Sequence, residues 1–307
     1  MESLPPGSGH RPLPPLPRSD DPTLRDRGRL LVSCPDRPGI VATVSRFLFE
    51  RGANIVHSDQ HSTDPRGGLF FLRVEFDLPA LLDEADDLRQ AFTPIADTYG
   101  MDWRLALAGT RKRLAIFVSH EDHCLLELLW QQRSGDLRAD IAMVVGNHAE
   151  LASVVTSLGV PFHHVPFTSK TKTEAEARQR ELVDGHVDAI ILARYMQILS
   201  PAFLAGWRDR TINIHHSFLP AFAGAKPYAQ AHDRGVKLIG ATAHYVTEDL
   251  DAGPIIEQDV HRVDHRHGVA DMRRIGRQIE RTVLARAVSW HVDDRIIVHG
   301  NKTVVFD

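Results

Sequence analysis

Residues 111–132 read RKRLAIFVSHEDHCLLELLWQQ and place an apolar run directly before a helix-like pattern. The run RKRLAIFVS is typical of a strand buried on both faces, and HCLLELLWQQ has the apolar spacing of a helix. Further strands are predicted at 141–146, 161–166 and 189–193, separated by helices at 150–158 and 173–184. This alternation predicts an α/β fold with a mainly parallel sheet and helices on both faces.

The same unit extends to the end of the sequence. Later elements are predicted as strands at 212–215, 239–245 and 255–258, a long amphipathic helix at 269–290, and a hairpin at 296–299 and 303–306. We expect residues 109–307 to form one Rossmann-like domain, in which ligands bind at the carboxyl ends of the strands.

A second pattern precedes this domain. A strand at 29–34 is followed by a helix from Ile40, strands at 55–60 and 68–76, a helix at 80–99 and a strand at 102–107. The order βαββαβ is that of a ferredoxin-like module. We therefore expect a separate N-terminal domain at 28–108.

The first residues have a different composition. Seven of the 18 prolines fall in residues 1–22, where no apolar periodicity is present. This pattern predicts a disordered, proline-rich tail over residues 1–27. The segment lacks the apolar core of a secretory signal, so no export is expected.

Charge and cysteine content narrow the functional classes. The 307 residues include 36 Lys+Arg and 40 Asp+Glu, for a net charge of -4, which disfavours a nucleic-acid or anionic membrane partner. No apolar stretch is long enough to span a bilayer. Cys34 and Cys124 are too few for a disulfide framework, so the cytoplasm is the expected compartment.

The block at 211–259 contains the residues best suited to chemistry. Asn213 and His215 stand two apart on a predicted strand, so both side chains lie on one face near its end. Asp251 follows on a loop in the segment LDAGP. An amide donor, an imidazole and a carboxylate suit acyl chemistry without a covalent nucleophile. The spacing alone leaves a second interpretation open, in which these residues are an ordinary polar cap and a turn.

Two longer motifs resemble a known family. INIHHSFLPAF and TAHYVTEDLDAGPIIEQD are similar to the signatures of the folate-dependent formyl transferase and hydrolase family. The resemblance implies that Asn213, His215 and Asp251 are catalytic and that N10-formyltetrahydrofolate is the substrate. It also implies a folate pocket, whose predicted contacts are Met196, Gln197, Ile198, Leu199, Val246 and Leu250.

The formyl acceptor is the remaining question within this family. A phosphorylated acceptor needs a glycine-rich loop after the first strand, whereas 119–125 read SHEDHCL and place Glu121 and Asp122 there. Carboxylates repel phosphate. With His216 where the transferase motif has proline, the chain resembles the formyltetrahydrofolate deformylase branch, and water is the expected acceptor.

The N-terminal module resembles an ACT domain. That resemblance implies an amino-acid effector bound at a dimer interface, with Asp36, Gly39, Ile40 and Asn54 at the corresponding positions. A homodimer or homotetramer is expected. The alternative, a module that only oligomerises, remains open.

The leading hypothesis is therefore hydrolysis of N10-formyltetrahydrofolate to formate and tetrahydrofolate. The family relationship implies a role in balancing one-carbon pools and supplying formate for purine biosynthesis, with no metal and no permanently bound cofactor. Two alternatives are a formyltransferase with a non-phosphorylated or unusual acceptor, and a binding protein without turnover.

Overall fold

The computed structural model describes residues 21–64, 66–220 and 227–306, which form two α/β units. The predicted tail lies outside the described residues as far as residue 20. The strands are β1 (Arg27–Pro35), β2 (Asn54–Ser62), β3 (Leu69–Asp77), β4 (Asp102–Leu107), β5 (Lys112–Val118), β6 (Ala139–Gly146), β7 (Phe162–His164), β8 (Ala189–Ala193), β9 (Thr211–His215), β10 (Leu238–Tyr245), β11 (Ile255–Arg262), β12 (Ile296–His299) and β13 (Lys302–Val305). The helices are α1 (Ile40–Glu50), α2 (Leu81–Tyr99), α3 (His123–Ser134), α4 (Ala152–Ser157), α5 (Lys172–Val183), α6 (Pro201–Leu204), α7 (Pro227–Asp233) and α8 (Val269–Val292).

The N-terminal unit is a four-stranded antiparallel sheet in the order β2-β3-β1-β4. Alternate residues of β1, Leu30, Val32 and Cys34, pack with α1 and α2 in one apolar cluster. The period of two in the strand thus buries one face of the sheet under both helices. The predicted βαββαβ module is confirmed.

The second unit has a seven-stranded sheet in the order β11-β10-β9-β8-β5-β6-β7. Strands β5 to β9 are parallel, and β10 and β11 run antiparallel to their neighbours. Along β5, Leu114 and Ile116 belong to the cluster that contains α3 and α8 residues, whereas Ala115 and Phe117 belong to the cluster that contains α5 residues. Helices therefore cover both faces of a mainly parallel sheet, as predicted.

Charged side chains connect the two units. Arg73 of β3 donates through Nε to the main-chain oxygen of Asp294 at 3.0 Å. Lys112 Nζ donates to the Asp294 carboxylate at 2.7 Å and to the main-chain oxygen of Val292 at 2.9 Å. A cation at the carboxyl end of a helix is favourable, so this network fixes the end of α8 against the N-terminal sheet.

Two features differ from the sequence-based expectations. The tail was predicted to reach residue 27, but Pro22–Leu24 form a 3-10 helix, β1 begins at Arg27, and Leu24 is only 4% exposed. Its main-chain oxygen would lie 3.0 Å from a Cβ at Gly109, so this segment packs on the junction between the units. Helices α6 and α7 were not predicted, because four and seven residues give too few positions for a helical period.

None of the helices in the described part of the chain combines the length and the apolar character needed to cross a bilayer.

Candidate active site

Strand β9 positions the first two residues of the predicted trio. Asn213 and His215 lie on one face of β9, and both line the same cleft at its carboxyl end. His215 Nδ1 lies 3.2 Å from Asp251 Oδ2. The structure therefore brings together an amide, an imidazole and a carboxylate that the sequence separates by up to 38 positions.

The loop between β10 and β11 sets the position of Asp251. A Cβ at Gly253 would lie 1.9 Å from the main-chain oxygen of Tyr245, so only glycine permits this approach. Tyr245 N also donates to the main-chain oxygen of Pro254 at 2.9 Å. Asp251 itself adopts a left-handed backbone with φ 53, a conformation that aspartate tolerates better than most residues. The segment LDAGP thus directs a carboxylate toward β9.

Two histidines stabilise the charged form of Asp251. A hydrogen bond with His215, followed by one with His244, holds the pKa of the Asp251 carboxyl well below its usual range. His244 stands opposite Asn213 in the β9–β10 register, with His244 Nε2 3.2 Å from Asn213 Nδ2. Asp251 is therefore an anion at all physiological pH values, and it orients the His215 ring.

The opposite side of the His215 ring remains available for substrate. His215 is 5% exposed, and its Nε2 has no hydrogen-bond partner within the described parts of the chain. Because Nδ1 is engaged by Asp251, Nε2 is the nitrogen that can meet a group bound in the cleft. Together with the Asn213 amide it offers the pair of donors that a developing oxyanion requires.

The predicted folate contacts all line this cleft, which has a volume of about 710 Å³. Three of them are exposed apolar side chains, Met196 at 58%, Ile198 at 61% and Leu250 at 66%. Leu199 is 6% exposed and belongs to the core, so it contributes less surface. Exposed apolar groups around a cleft are typical of a ligand surface. The segment is anchored because Met196 N donates to Ser119 Oγ at 3.0 Å.

Several cleft residues were missed by the sequence analysis. They surround the carboxylate of Glu280, which is 1% exposed, and comprise His123, Arg194 and Tyr228. These residues come from four separated parts of the chain and share no motif. Neither spacing nor composition could have grouped them, although His123 falls in the quoted segment SHEDHCL.

The loop after β5 has the predicted acidic character. Glu121 lines the cleft, with Oε2 3.6 Å from His123 Nδ1 and 3.6 Å from Arg277 Nη1. Asp122 is the N-cap of α3, and its side chain makes no capping hydrogen bond.

Cys124 is 1% exposed within the core, and burial raises the pKa of its thiol well above the usual value. Cys124 is therefore a packing residue rather than a nucleophile.

Among the residues that the structure describes, two groups of side chains have donor atoms within 4.8 Å of one another, as a metal site would need. In the first, His123, Cys124 and Glu280, the glutamate oxygens are already bonded to His123 and Tyr228. The second, His120, His148 and Glu150, lies at the surface, where the two imidazole rings stack with centroids 3.6 Å apart. The chemistry available to the trio calls on neither group.

The four predicted effector residues are not gathered within one chain. Asp36 follows β1 and accepts a hydrogen bond from Ser62 Oγ, at the far end of β2. Gly39, with φ 96, is the N-cap of α1, and Ile40 is buried at 2% exposure. Asn54 begins β2 and lies about 26 Å from Ser62 at the other end of the strand, because eight residues of extended chain separate the two.

Comparisons with known proteins cover both units. A formyl transferase family model matches residues 112–288, and an ACT domain model matches residues 28–93. A Bacillus subtilis protein named formyltetrahydrofolate deformylase is 57% identical over 283 residues, which cover 92% of this chain and 94% of that protein. A Mycobacterium bovis protein of the same name is 59% identical over 282 residues, covering 92% and 91% of the two chains. The crystal structure of a formyltetrahydrofolate deformylase from Pseudomonas syringae matches with a TM-score of 0.88 at 51% identity, covering 92% of this chain and 94% of that chain.

Proposed function

This chain belongs to the family of formyltetrahydrofolate deformylases, and on that premise we propose that its cleft hydrolyses N10-formyltetrahydrofolate to formate and tetrahydrofolate through Asn213, His215 and Asp251. The observation that carries this proposal is the 3.2 Å contact between His215 and Asp251, with the Asn213 amide on the same face of β9.

The reaction begins when water attacks the formyl carbon. Negative charge then develops on the formyl oxygen, where Asn213 Nδ2 and His215 Nε2 act as hydrogen-bond donors. Asp251 stabilises the protonated His215 ring and accepts, through water, the proton that the attacking water loses. The same relay delivers this proton to N10 as the carbon–nitrogen bond breaks. The products are formate and tetrahydrofolate, and no covalent enzyme intermediate forms.

The folate portion is held by the exposed apolar side chains of Met196, Ile198 and Leu250, with Gln197, Val246 and the edge of Leu199 beside them. Their position next to the trio supports this assignment. A flat pterin ring buries such surface at about 25 cal/mol per Å² of apolar area.

An acceptor-free assay tests the hydrolase proposal. Purified protein is mixed with N10-formyltetrahydrofolate alone, and formate and tetrahydrofolate are quantified. Equal amounts of both products support the proposal. A formyltransferase with an unusual acceptor would produce tetrahydrofolate only after that acceptor is added, and a binding protein would produce none.

The N-terminal unit is proposed to pair with a second copy through β2. This strand is at the edge of its sheet, seven of its nine residues are exposed, and Val56 and nearby Phe49 are 41% and 78% exposed. Antiparallel pairing centred on Ser58 would place Asn54 of the partner subunit opposite Ser62, beside Asp36. Pairing of this kind would complete the predicted effector site, and an amino-acid ligand is proposed there.

Light scattering coupled to size-exclusion chromatography tests the pairing, and titration of amino acids during formate release tests the ligand. A Val56→Lys variant is expected to shift the mass toward the monomer, because a lysine on an exposed edge strand opposes its pairing with another strand. A monomeric wild-type protein would contradict the pairing through β2. A rate of formate release that no amino acid changes would contradict the proposed ligand.

A further inference from the structure

One wall of the catalytic cleft is a closed network around Glu280. The carboxylate is 1% exposed and accepts hydrogen bonds from His123 Nε2 at 2.8 Å and from Tyr228 OH at 2.7 Å. Arg194 Nε lies 3.4 Å from the same carboxylate. The partners of Glu280 lie on α3, on α7 and directly after β8, and Glu280 itself lies on α8. Four separate parts of the domain therefore form this network. We call His123, Arg194, His216, Tyr228 and Glu280 the acceptor wall.

Helix α8 is shaped to admit this wall. A Cβ at Gly276 would lie 1.9 Å from the hydroxyl oxygen of Tyr228. Gly276 precedes Glu280 by one helical turn, so the notch left by the missing side chain admits the Tyr228 hydroxyl beside the carboxylate. The Tyr228 ring is therefore held in one orientation, because its hydroxyl lies in this notch and donates a hydrogen bond to Glu280.

His216 joins the wall to the catalytic residues. Its ring centroid is 5.2 Å from that of His215 and 6.3 Å from that of Tyr228. Burial, followed by the nearby Arg194 guanidinium, lowers the pKa of His216 to about 4. The ring is therefore neutral at pH 7 and packs beside His215 without repelling a second positive charge.

The two sides of the trio thus differ in character. The Met196–Leu199 segment and Leu250 offer exposed apolar surface to the folate, whereas the acceptor wall offers polar side chains gathered around the Glu280 carboxylate. A bound formyl group must lie at the trio, between these two sides. An amine that attacked the formyl carbon from the side of the wall would need a hydrogen-bond acceptor there to hold it and to take its proton.

We propose that the acceptor wall determines which nucleophile takes the formyl group. Tyr228 bonds one oxygen of Glu280, and His123 and Arg194 contact the other, so Glu280 has no free oxygen to hold an amine or take its proton. In hydrolysis a carbon–oxygen bond forms to water, the carbon–N10 bond breaks, and N10 gains a proton. With an amine, a carbon–nitrogen bond to the amine would form instead, and the amine would lose the proton. The proposal rests on the hydrolase function proposed above.

Product partitioning in the presence of glycinamide tests this role. The wild-type protein is incubated with N10-formyltetrahydrofolate and glycinamide, and formate and N-formylglycinamide are measured by mass spectrometry. Wild type is expected to give almost entirely formate, and its small N-formylglycinamide fraction, after subtraction of the enzyme-free reaction, is the reference value. Arg194→Ala and Tyr228→Ala are expected to raise the fraction of N-formylglycinamide at least tenfold, while tetrahydrofolate continues to form.

The matched control is Arg274→Ala on the exposed face of α8, where the side chain pairs with Asp271, and it should give the wild-type product ratio. If the alanine variants do not fold, Tyr228→Phe replaces them, because it keeps the aromatic ring and frees one oxygen of Glu280. The N-formylglycinamide fraction of Tyr228→Phe should still exceed that of wild type at least twofold. An unchanged product ratio in a folded, active variant overturns the proposal, as does wild-type transfer to glycinamide at the variants' level. Absence of formate from wild type without an acceptor would instead overturn the hydrolase function itself.

Discussion

The Cα of Gly253 lies against the main-chain oxygen of Tyr245 so closely that a Cβ would be 1.9 Å from that oxygen. The contact holds the LDAGP loop on the end of β10 and places Asp251 within 3.2 Å of His215. The catalytic geometry therefore depends on a glycine that carries no functional group.

A Gly253→Ala variant should lose activity by about 10²-fold, because the loop must move away from Tyr245 and a shift of about 1 Å at a catalytic group has that effect. Steady-state formate release measures this loss. Gly206→Ala is the matched control, since a Cβ there meets nothing within 4 Å. Equal activity of the two variants would show that Gly253 does not position Asp251.

An Asp251→Asn variant keeps the size of the side chain and removes its charge. We expect the rate of formate release to fall by about 10²-fold or more, because the His215 ring loses the anion that orients it and stabilises its protonated form. Circular dichroism should show an intact fold. Asp249→Asn, two residues earlier on the exposed part of the loop, should retain wild-type turnover. Near-normal turnover of Asp251→Asn would remove this residue from the mechanism.

Folding stability should fall in mild acid. Burial, followed by the charges of Lys112 and Arg104, lowers the pKa of His291 to about 3, below its unfolded value of 6.5. Between pH 6.5 and 3 the unfolded chain therefore binds a proton that the native chain does not, and stability drops by up to about 1.4 kcal/mol per pH unit for this group. Urea unfolding at several pH values measures the slope.

The variant that isolates this effect is His291→Gln, whose amide oxygen can still accept the hydrogen bond from Tyr245 OH. Its stability should depend less steeply on pH than that of wild type between pH 6.5 and 4. His186→Gln, at an exposed position, should leave the slope unchanged. Parallel slopes for wild type and His291→Gln would refute the assignment.

Lys112→Met should lower the free energy of unfolding by about 2 kcal/mol, because the buried Asp294 carboxylate loses its shortest ion pair and the last carbonyls of α8 lose a donor. Arg29 and Arg104 stay 3.7 and 3.6 Å from that carboxylate. An exposed pair provides the comparison: Arg178→Met breaks the contact with Glu181 and should cost no more than about 0.5 kcal/mol. Chemical denaturation of both variants gives the two values. A similar small loss in each would mean that the Lys112–Asp294 pair contributes little to stability.

The positions of the proposed catalytic trio could be predicted from the sequence better than its surroundings. Asn213 and His215 could be placed on one face from the period of a strand alone, and Asp251 could be placed on a loop of the same block, to which the resemblance of its motif then added a catalytic role. His244 could not be placed, because its position opposite Asn213 depends on the antiparallel register of β10 against β9. The contact between His123 and Glu280 joins residues 157 apart through the packing of α3 on α8, which leaves no local signal in the sequence.

The central claim is that water takes the formyl group at this trio, and hydrolysis in ¹⁸O-labelled water tests it most directly. The enzyme and N10-formyltetrahydrofolate are mixed without any other acceptor, and the formate is analysed by mass spectrometry after a single turnover. We predict one ¹⁸O atom in each formate released by the wild-type protein and almost no formate from Asp251→Asn in the same time. Unlabelled formate, or formate that appears only after an amine is added, would contradict the claim.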